Sequence, residues 1–296
     1  MKIQSILFSF LMTASAWMAD STQQTVIDHF RYSVKDYSFL NATVDYGLGD
    51  LTIKPGSGRY IISGMLTYDP SQKQPWLTFT PRNEQVDFMI QFDDSDSIHF
   101  NGDINFSNYK SLTFKDKNCD IDLALPLKID LGLRLEFGFG NADIDLSGLR
   151  IERMAIECGL SDVNLEIHSP NPVRSRKLKI ESGLGDLNVV GLGNLRANDI
   201  DLDVGLGSTD IDFRGDRLVD TDFNIEVGLG DLDLILPRHA NIKIRVSDSF
   251  LSKVSVLGLV EERQDYWVTP NWKPGVPVLN LDVSVGLGSV NISVRE

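Results

Sequence analysis

The sequence has few histidines and lacks three motifs that mark catalytic, zinc and phosphate-binding sites. Only four histidines occur in 296 residues, and they are too far apart for a metal-ligand spacing: His29, His99, His168 and His239. The G-x-S-x-G, H-E-x-x-H and P-loop motifs do not occur in the sequence. These absences argue against an enzyme, and we predict no catalytic residue, no cofactor and no bound metal ion.

Cysteine is equally scarce, with only Cys119 and Cys158. Both occupy apolar positions of their local strand patterns, where a free cysteine acts as a small hydrophobic side chain. An exported protein can also form a disulfide, but the pattern does not tell whether the two Cα atoms approach closely enough. Two buried thiols and one disulfide therefore both stay open.

An excess of basic residues is also missing, because 28 Lys and Arg face 42 Asp and Glu, for a net charge of −14. Such a surface repels nucleic-acid phosphates and anionic lipid head groups, so we expect no nucleic-acid partner. The charge helps to keep a β-rich protein soluble, and it is compatible with basic or neutral partners or divalent cations.

Long apolar runs do not occur after the first residues, so no later segment is predicted to span a membrane. At the N terminus, Lys2 precedes a mostly apolar stretch over residues 3–12, which is too short for a membrane span. The tripeptide Ala14–Ala16 then matches the small-x-small pattern that signal peptidase cleaves. We predict a signal peptide at residues 1–16, with cleavage after Ala19 as the second choice. The protein would then be exported, and its place in the periplasm, at the cell surface or in the medium stays open.

The sequence is rich in a repeated glycine motif. Seven segments share a pattern in which a hydrophobic residue follows a glycine and, in most cases, precedes a second one: YGLGDLTI from Tyr46, FGFGNADIDL from Phe137, CGLSDVNLEI from Cys158, SGLGDLNVV from Ser182, VGLGSTDIDF from Val204, VGLGDLDLIL from Val227 and VGLGSVNISV from Val285. The first glycines of the middle five segments are 21 to 24 residues apart. This period is typical of one coil of a solenoid.

The hydrophobic alternation changes phase inside each repeat. In one repeat the apolar set is Phe223, Ile225 and Val227 before the glycines, and it is Leu232, Leu234 and Leu236 after them. A straight strand would place these two sets on opposite faces, so the chain must bulge or turn a corner at the glycines. Both halves then face one interior. We expect the hydrophobic residue between the glycines to point inward too, as an internal ladder of Leu48, Phe139, Leu160, Leu184, Leu206, Leu229 and Leu287.

Glycine suits such a corner because it adopts positive φ and lets stacked backbones approach closely. The polar residue that follows can bond neighbouring backbone amides in a local turn. The predicted corner residues are Gly47, Gly49, Asp50, Gly138, Gly140, Gly159, Asp162, Gly183, Gly185, Asp186, Gly205, Gly207, Gly228, Gly230, Asp231, Gly286 and Gly288.

With this pattern the chain resembles the bacterial toast-rack β-solenoid family, which is related to the C-terminal domain of LiaF-type cell-envelope stress proteins. The resemblance rests on YGLGDLTIKPGSG from Tyr46, MLTYDPSQKQPWLTF from Met65, the segment from Leu125 to Ile167, and PVLNLDVSVGLGSVNISV from Pro277. It implies stacked parallel coils in an envelope-associated protein, and it brings no catalytic residues. LiaF-type proteins carry membrane helices ahead of this domain, whereas only a signal peptide is predicted here, so their signalling role is not carried over.

We therefore predict an all-β fold: a single-stack β-solenoid with coils of about 21–24 residues and an irregular, strand-rich N-terminal part. Residues 17–40 would form a lead-in or N-terminal cap. Residues 41–134 would form the N-terminal toast-rack module, and residues 135–296 the C-terminal solenoid, with a capping segment at 248–278.

Two groups of side chains have a functional and a structural interpretation. One is an outward column, in which carboxylates could bind Ca²⁺ or form a solvated polar face: Thr52, Asp143, Asn164, Asn188, Asp210, Asp233 and Asn291. The other is Tyr266, Trp267 and Trp272, which would form either an aromatic platform for a sugar or peptide or a plug over the open end of the stack.

The function that follows is a non-catalytic, exported scaffold or interaction module of the cell envelope, which binds an envelope protein or polymer along its faces. The alternatives are an adhesin or a component of an envelope-stress sensor, and, less favoured, a polysaccharide-degrading β-helix enzyme. The last strand, Val290 to Val294, would leave a free edge for an end-to-end homo-oligomer.

Overall fold

The computed structural model describes residues 25–33, 37–70, 75–92, 119–248 and 252–296. The predicted signal peptide lies outside these residues. The described chain is all-β, with one short 3-10 turn at Leu192–Leu195. Its strands are β1 (Val26–Ser33), β2 (Phe39–Leu48), β3 (Leu51–Pro55), β4 (Tyr60–Tyr68), β5 (Pro75–Arg82), β6 (Gln85–Phe92), β7 (Asp120–Leu125), β8 (Asp130–Asp145), β9 (Arg150–Glu166), β10 (Ser175–Leu184), β11 (Leu187–Val190), β12 (Ala197–Asp212), β13 (Thr221–Pro237), β14 (Asn241–Asp248), β15 (Ser252–Leu257), β16 (Val260–Arg263), β17 (Tyr266–Val268) and β18 (Val278–Arg295).

The strands pair in parallel through most of the sheet. Before the glycines, the order of neighbours is β6–β2–β8–β9–β10–β12–β13–β18–β14. After the glycines, it is β7–β3–β8–β9–β11–β12–β13–β18–β15. We call each of the seven chain passages that carry a glycine corner a level: β2 with β3, β8, β9, β10 with β11, β12, β13 and β18. Equivalent residues of successive levels lie opposite each other.

Both halves of a level contribute to one hydrophobic core. Phe223, Ile225 and Val227, before the corner of β13, are buried. Leu232 and Leu234, after the corner, are buried as well, and they belong to the same cluster. The predicted change of phase is therefore confirmed at the level of burial. Each fully buried side chain of this size contributes about 1.5–3 kcal/mol.

Antiparallel strands flank the parallel stack. At the N-terminal end, β1 pairs with β4, β4 with β7, and β5 with β6. Aromatic rings from these strands pack together, with Tyr32 stacked on Phe79 at 4.1 Å between centroids and Phe30 on Phe88 at 5.5 Å. Part of the segment predicted as a lead-in or cap thus forms β1, and the predicted boundary at residues 134 and 135 falls within β8.

The last strand does not lie at an edge. In β18, Val290 is paired with Leu232 of β13 on one side and with Val254 of β15 on the other. The expectation that Val290 to Val294 leave a free edge is therefore wrong, because β15, from the segment before β18, pairs with this part of β18. Within the described residues, β18 lies between β13 and β14 in the sheet and pairs with both, although β13 and β14 are consecutive in the chain.

Candidate interaction surface

The predicted corner glycines line up in the stack, level upon level. The second glycine of each G-x-G has a positive φ, between 132° and 148°: Gly49, Gly140, Gly185, Gly207, Gly230 and Gly288. In this range an L side chain is strained, so the backbone itself requires glycine. In the level of β9 the equivalent residue is Ser161, which is buried and is not among the positive-φ residues.

Close stacking adds a second requirement for glycine. A Cβ atom on Gly140 would lie 1.8 Å from the carbonyl oxygen of Gly49, and one on Gly288 would lie 1.7 Å from that of Gly230. The first glycines are also tight, since a Cβ on Gly228 would lie 2.7 Å from the carbonyl oxygen of Gly205. Adjacent levels therefore contact each other backbone to backbone along the whole corner.

The aspartates after the glycines bond the next level and not their own turn. Asp50 Oδ1 accepts a hydrogen bond from the Asn141 amide at 2.9 Å, and Asp162 Oδ1 accepts one from the Asp186 amide at 3.0 Å. Asp186 and Asp231 accept in the same way from the amides of Ser208 and Ser289, both at 3.1 Å. The sequence predicted a hydrogen bond within the local turn. The structure has a hydrogen bond between levels instead, because the backbone amide of the next level lies opposite each of these carboxylates.

The hydrophobic residue of the corner points outward, so the predicted internal ladder is wrong. Leu160 and Leu206 are each 37% exposed, Leu229 is 43% exposed and Leu287 is 38% exposed. The chain turns its corner at these residues, so the strand alternation does not continue through them and the side chain at the corner lies outside the interior. We call this column the leucine ridge; its members are paired in sequence from level to level: Leu48, Phe139, Leu160, Leu184, Leu206, Leu229 and Leu287.

A column of carboxylates runs beside the leucine ridge, on the strand side that precedes the corner. We call it the first acidic column, and its residues are paired between successive levels: Asp45, Glu136, Glu157, Glu181, Asp203 and Glu226. Neighbouring strands are about 4.8 Å apart, so six carboxylates are stacked at this spacing. The sequence analysis did not identify this column, although an acidic residue two positions before the first glycine in six of the seven repeats was its signal.

Cations accompany only part of the first acidic column. Arg134 is ion-paired with Glu136 and also approaches Glu157 at 3.4 Å, and Lys179 Nζ lies 2.5 Å from Glu181. In the described chain, no Lys or Arg side chain forms an ion pair with Asp203 or Glu226. Burial, followed by the charges of Glu226 and Glu181, raises the pKa of Asp203. The negative charge is therefore least compensated at β12 and β13.

The predicted outward column after the corner also forms. Asn164 donates a hydrogen bond to Asp143 at 3.0 Å, and Asn188 donates one to Asn164 at 3.4 Å. Asp210 lies opposite Asp233, and burial together with the charges of Asp233 and Asp186 raises the pKa of Asp210. Among the described residues, no group of three or more His, Cys, Asp or Glu side chains is arranged to hold a metal ion.

The three aromatic residues of the irregular segment have different surroundings. Trp267 pairs with Ile244 of β14 and packs against the hydrophobic core. Tyr266 has the Arg263 guanidinium 4.6 Å from its ring centroid. Trp272 is 44% exposed, with Lys243 Nζ 5.0 Å above its ring. The two residues in β17 thus extend the sheet, and Trp272 is the most exposed of the three.

Both cysteines are free and buried, so of the two alternatives the structure contains the thiols. Burial raises the pKa of Cys119 to about 12, with a smaller contribution from Asp120. Burial likewise raises the pKa of Cys158 to about 11 against the opposing effect of Ser182. Protonated, buried thiols act as small hydrophobic groups.

On the side away from the corner, buried asparagines bond the loops between levels. Asn171 Nδ2 donates to the carbonyl oxygens of Ile151 at 2.7 Å and Leu195 at 3.1 Å. Asn194, one repeat further along, donates to the carbonyl oxygen of Ile167 at 2.8 Å and accepts from the Asp216 amide at 2.9 Å. The sequence analysis missed this role, which the repeat spacing of these asparagines could have indicated.

In the part of the chain that the structure describes, none of the helical segments has the length and apolar character needed to cross a membrane. A search of curated proteins found no match to this chain. A family described as the N-terminal domain of toast_rack, DUF2154, matches residues 19–190.

Three similar solved structures are distant from this chain in sequence. A "putative cell adhesion protein" from Clostridium sporogenes is 14% identical with a TM-score of 0.44, covering 92% of this chain and 100% of its own. A "putative adhesin" from Bacteroides fragilis is 12% identical with a TM-score of 0.36, covering 92% and 98%. A "putative lipid binding protein" from Parabacteroides distasonis is 10% identical with a TM-score of 0.33, covering 92% and 97%.

Proposed function

Because this chain belongs to the toast-rack family, we propose that it is an exported, non-catalytic interaction module of the cell envelope, built as a β-solenoid. The observation that carries the proposal is the in-register repetition of outward columns over seven levels. A surface that repeats the same chemistry at each level suits a partner extended along the stack. The partner would be an envelope protein or polymer.

The solenoid is supported by the parallel order of the levels and by the burial of both strand halves of each level. Phe223 and Leu232 lie on either side of one corner, and both are buried in the same core. Small-angle scattering should then give an elongated particle, with its long axis along the stack. A compact, nearly spherical particle would contradict the solenoid.

A non-catalytic role is supported by the uniformity of the outward carboxylates. In the first acidic column a carboxylate recurs at six successive levels, for example Asp203 followed by Glu226, so no single pair of this column is set apart as an active site would be. Incubation with a panel of envelope and extracellular glycans should release no product. Product formation that is abolished by replacing one of these carboxylates would favour the polysaccharide-degrading alternative.

Export is proposed from the predicted signal at residues 1–16. Expression of the full chain in a bacterial host should place a protein shortened by these residues outside the cytoplasm, as read by fractionation and intact mass. Deletion of residues 1–16 should keep the protein in the cytoplasm. An uncleaved full chain that stays in the cytoplasmic fraction would contradict export.

The interaction role is tested by immobilising the full chain and washing it with cell-envelope extract. A specific envelope protein or polymer should be retained, compared with an unrelated acidic β-protein on the same matrix. No retention above that control at physiological salt would contradict an interaction module. Binding of intact cells, measured with the same control, would separate an adhesin from an internal envelope scaffold.

A further inference from the structure

The leucines of the ridge are not part of the hydrophobic core, so core packing does not explain why this position is apolar. At five consecutive levels the residue is leucine, and four of those leucines are between 37% and 43% exposed: Leu160, Leu206, Leu229 and Leu287. Single exposed apolar residues are normal, but a continuous exposed apolar stripe marks an interaction site. The glycines of each corner are required by backbone stacking. The leucine between them is not, since its side chain points away from the stack.

The glycines before the leucines have no side chains that could cover the ridge. Gly205, Gly228 and Gly286 are exposed and lie immediately before the leucines of their levels. Without side chains on that side, each leucine is bordered by bare backbone. A partner side chain can therefore approach the ridge from the side of the first acidic column and contact the leucines along their length.

Negative charge lies on both sides of the ridge in the levels of β12 and β13. Asp203 and Glu226 precede the leucines there, whereas Glu181 one level earlier is ion-paired with Lys179. On the other side of the ridge lie Asp186, Asp210, Asp231 and Asp233. The carboxylates of Asp186 and Asp231 each accept a hydrogen bond from a backbone amide of the next level, and Asp231 accepts a second one from the Ser289 hydroxyl. Both aspartates stay exposed. An apolar stripe between two acidic margins is complementary to an apolar stripe between two basic margins.

The spacing of the ridge distinguishes a helix from an extended peptide. Levels repeat every ~4.8 Å, and a helix turns every ~5.4 Å, so that over four steps the two differ by only ~2 Å. Residues on one face of an extended strand repeat every ~6.8 Å, which puts them ~8 Å out of step over the same four steps. A helix lying along the stack can thus keep one apolar residue per turn on successive leucines.

We propose that the leucine ridge from Leu160 to Leu287 docks a basic amphipathic helix of another protein, with its apolar stripe on the leucines and its Lys and Arg side chains on the acidic margins. This inference rests on the proposed function as an interaction module and specifies its partner. A second copy of this chain fits less well, because its own acidic margins would face those of the first. Anionic lipid surfaces are disfavoured by the same repulsion.

The test uses the full chain and a labelled synthetic helix of leucine and lysine, about 14 residues or ~21 Å long, with all leucines on one face. Fluorescence anisotropy gives its Kd. A scrambled peptide of the same composition, which has no apolar face, and a leucine–glutamate peptide of the same pattern are the controls. Tight binding is expected for the patterned basic peptide alone.

Variants locate the binding. The double variant Leu206→Ser/Leu229→Ser should weaken binding about tenfold, and Asp203→Asn/Glu226→Gln should weaken it and reduce its salt dependence. Trp76→Ser removes a side chain that is 66% exposed and lies outside the ridge, so its Kd should stay within twofold. Since all these side chains are exposed or partly exposed, unchanged unfolding transitions verify that each variant is folded.

Three results would overturn the proposal: equal binding by the ridge variants and Trp76→Ser, equal binding of the scrambled peptide, or equal binding of the leucine–glutamate peptide. A concentration-dependent dimer that Leu206→Ser/Leu229→Ser abolishes would instead assign the ridge to a second copy. The outcome is separable from the proposed function. An envelope partner that both the parent and the ridge variant retain leaves the interaction module standing and removes the ridge as its site.

Discussion

A methyl group on Gly230 would lie 1.9 Å from the carbonyl oxygen of Gly207, one level below it in the stack. The φ of Gly230 is also 148°, in a region that L residues avoid. Gly230→Ala should therefore lower the free energy of unfolding by about 3 kcal/mol or more, because it combines a backbone clash with strain. Denaturant unfolding measures the change.

The matched control is Gly58→Ala, at a glycine with φ 74° and no atom within 4 Å of the added Cβ. It carries only the conformational cost, about 1 kcal/mol. Equal effects of the two substitutions would show that the close approach of the levels does not matter.

The exposure of the leucine ridge predicts a contrast between two leucines three positions apart. Leu232 is fully buried, whereas Leu229 is 43% exposed. Leu232→Ala should cost about 2–5 kcal/mol through lost burial and a cavity, and Leu229→Ala should cost less than about 1 kcal/mol. Thermal and denaturant unfolding of both variants provides the comparison. A larger cost at Leu229 would mean that the ridge packs inside the stack.

The opposed carboxylates of Asp210 and Asp233 predict a stabilising substitution. Burial and the two neighbouring carboxylates raise the pKa of Asp210, so its ionised form is less favourable in the folded than in the unfolded chain. Asp210→Asn, which copies the asparagines elsewhere in this column, should raise stability at pH 7 by about 0.5–1 kcal/mol.

The pH dependence of this gain has a defined sign. As the pH falls, the folded chain takes up its proton at Asp210 before the unfolded chain does, so the parent gains stability. The advantage of the Asp210→Asn variant then shrinks and reaches its minimum below about pH 4. In an Asp233→Asn background the gain at pH 7 should be smaller, because one repulsive partner is gone. Destabilisation by Asp210→Asn at pH 7 would indicate that the carboxylates share a bound cation.

The buried thiols predict low reactivity. Because burial raises the pKa of Cys119 to about 12 and that of Cys158 to about 11, almost no thiolate exists at pH 8. An alkylating reagent should leave the folded protein unmodified at this pH and add two groups in concentrated guanidinium, as read by intact mass. A non-reduced mass lower by two hydrogens would reveal a disulfide.

The sequence predicted the interior because burial follows a local rule. Alternation before and after the glycines placed Phe223 and Leu232 on the same side once a corner was assumed, and both are buried. The rule failed at Leu229, because alternation holds only while the backbone stays in the extended region. Gly230, at φ 148°, leaves that region, and the sequence does not show on which side of the bend the preceding leucine falls.

The first acidic column had a signal in the sequence, because an acidic residue stands two positions before the first glycine in six of the seven repeats. The place of β18 had no such signal. The neighbours of Val290 come from β13 and from the irregular segment. No periodicity encodes which strands lie at an end, because that depends on pairings between distant parts of the chain.

The position of β18 imposes an order on synthesis and assembly. β13 and β14 are separated in the sequence by a short turn, with the Ala240 amide bonded to the Pro237 carbonyl oxygen. In the native sheet, however, a strand that the ribosome makes only after both of them lies between them. β13 and β14 must therefore stay unpaired with each other, or separate again, until β18 has been synthesised and can pair with both.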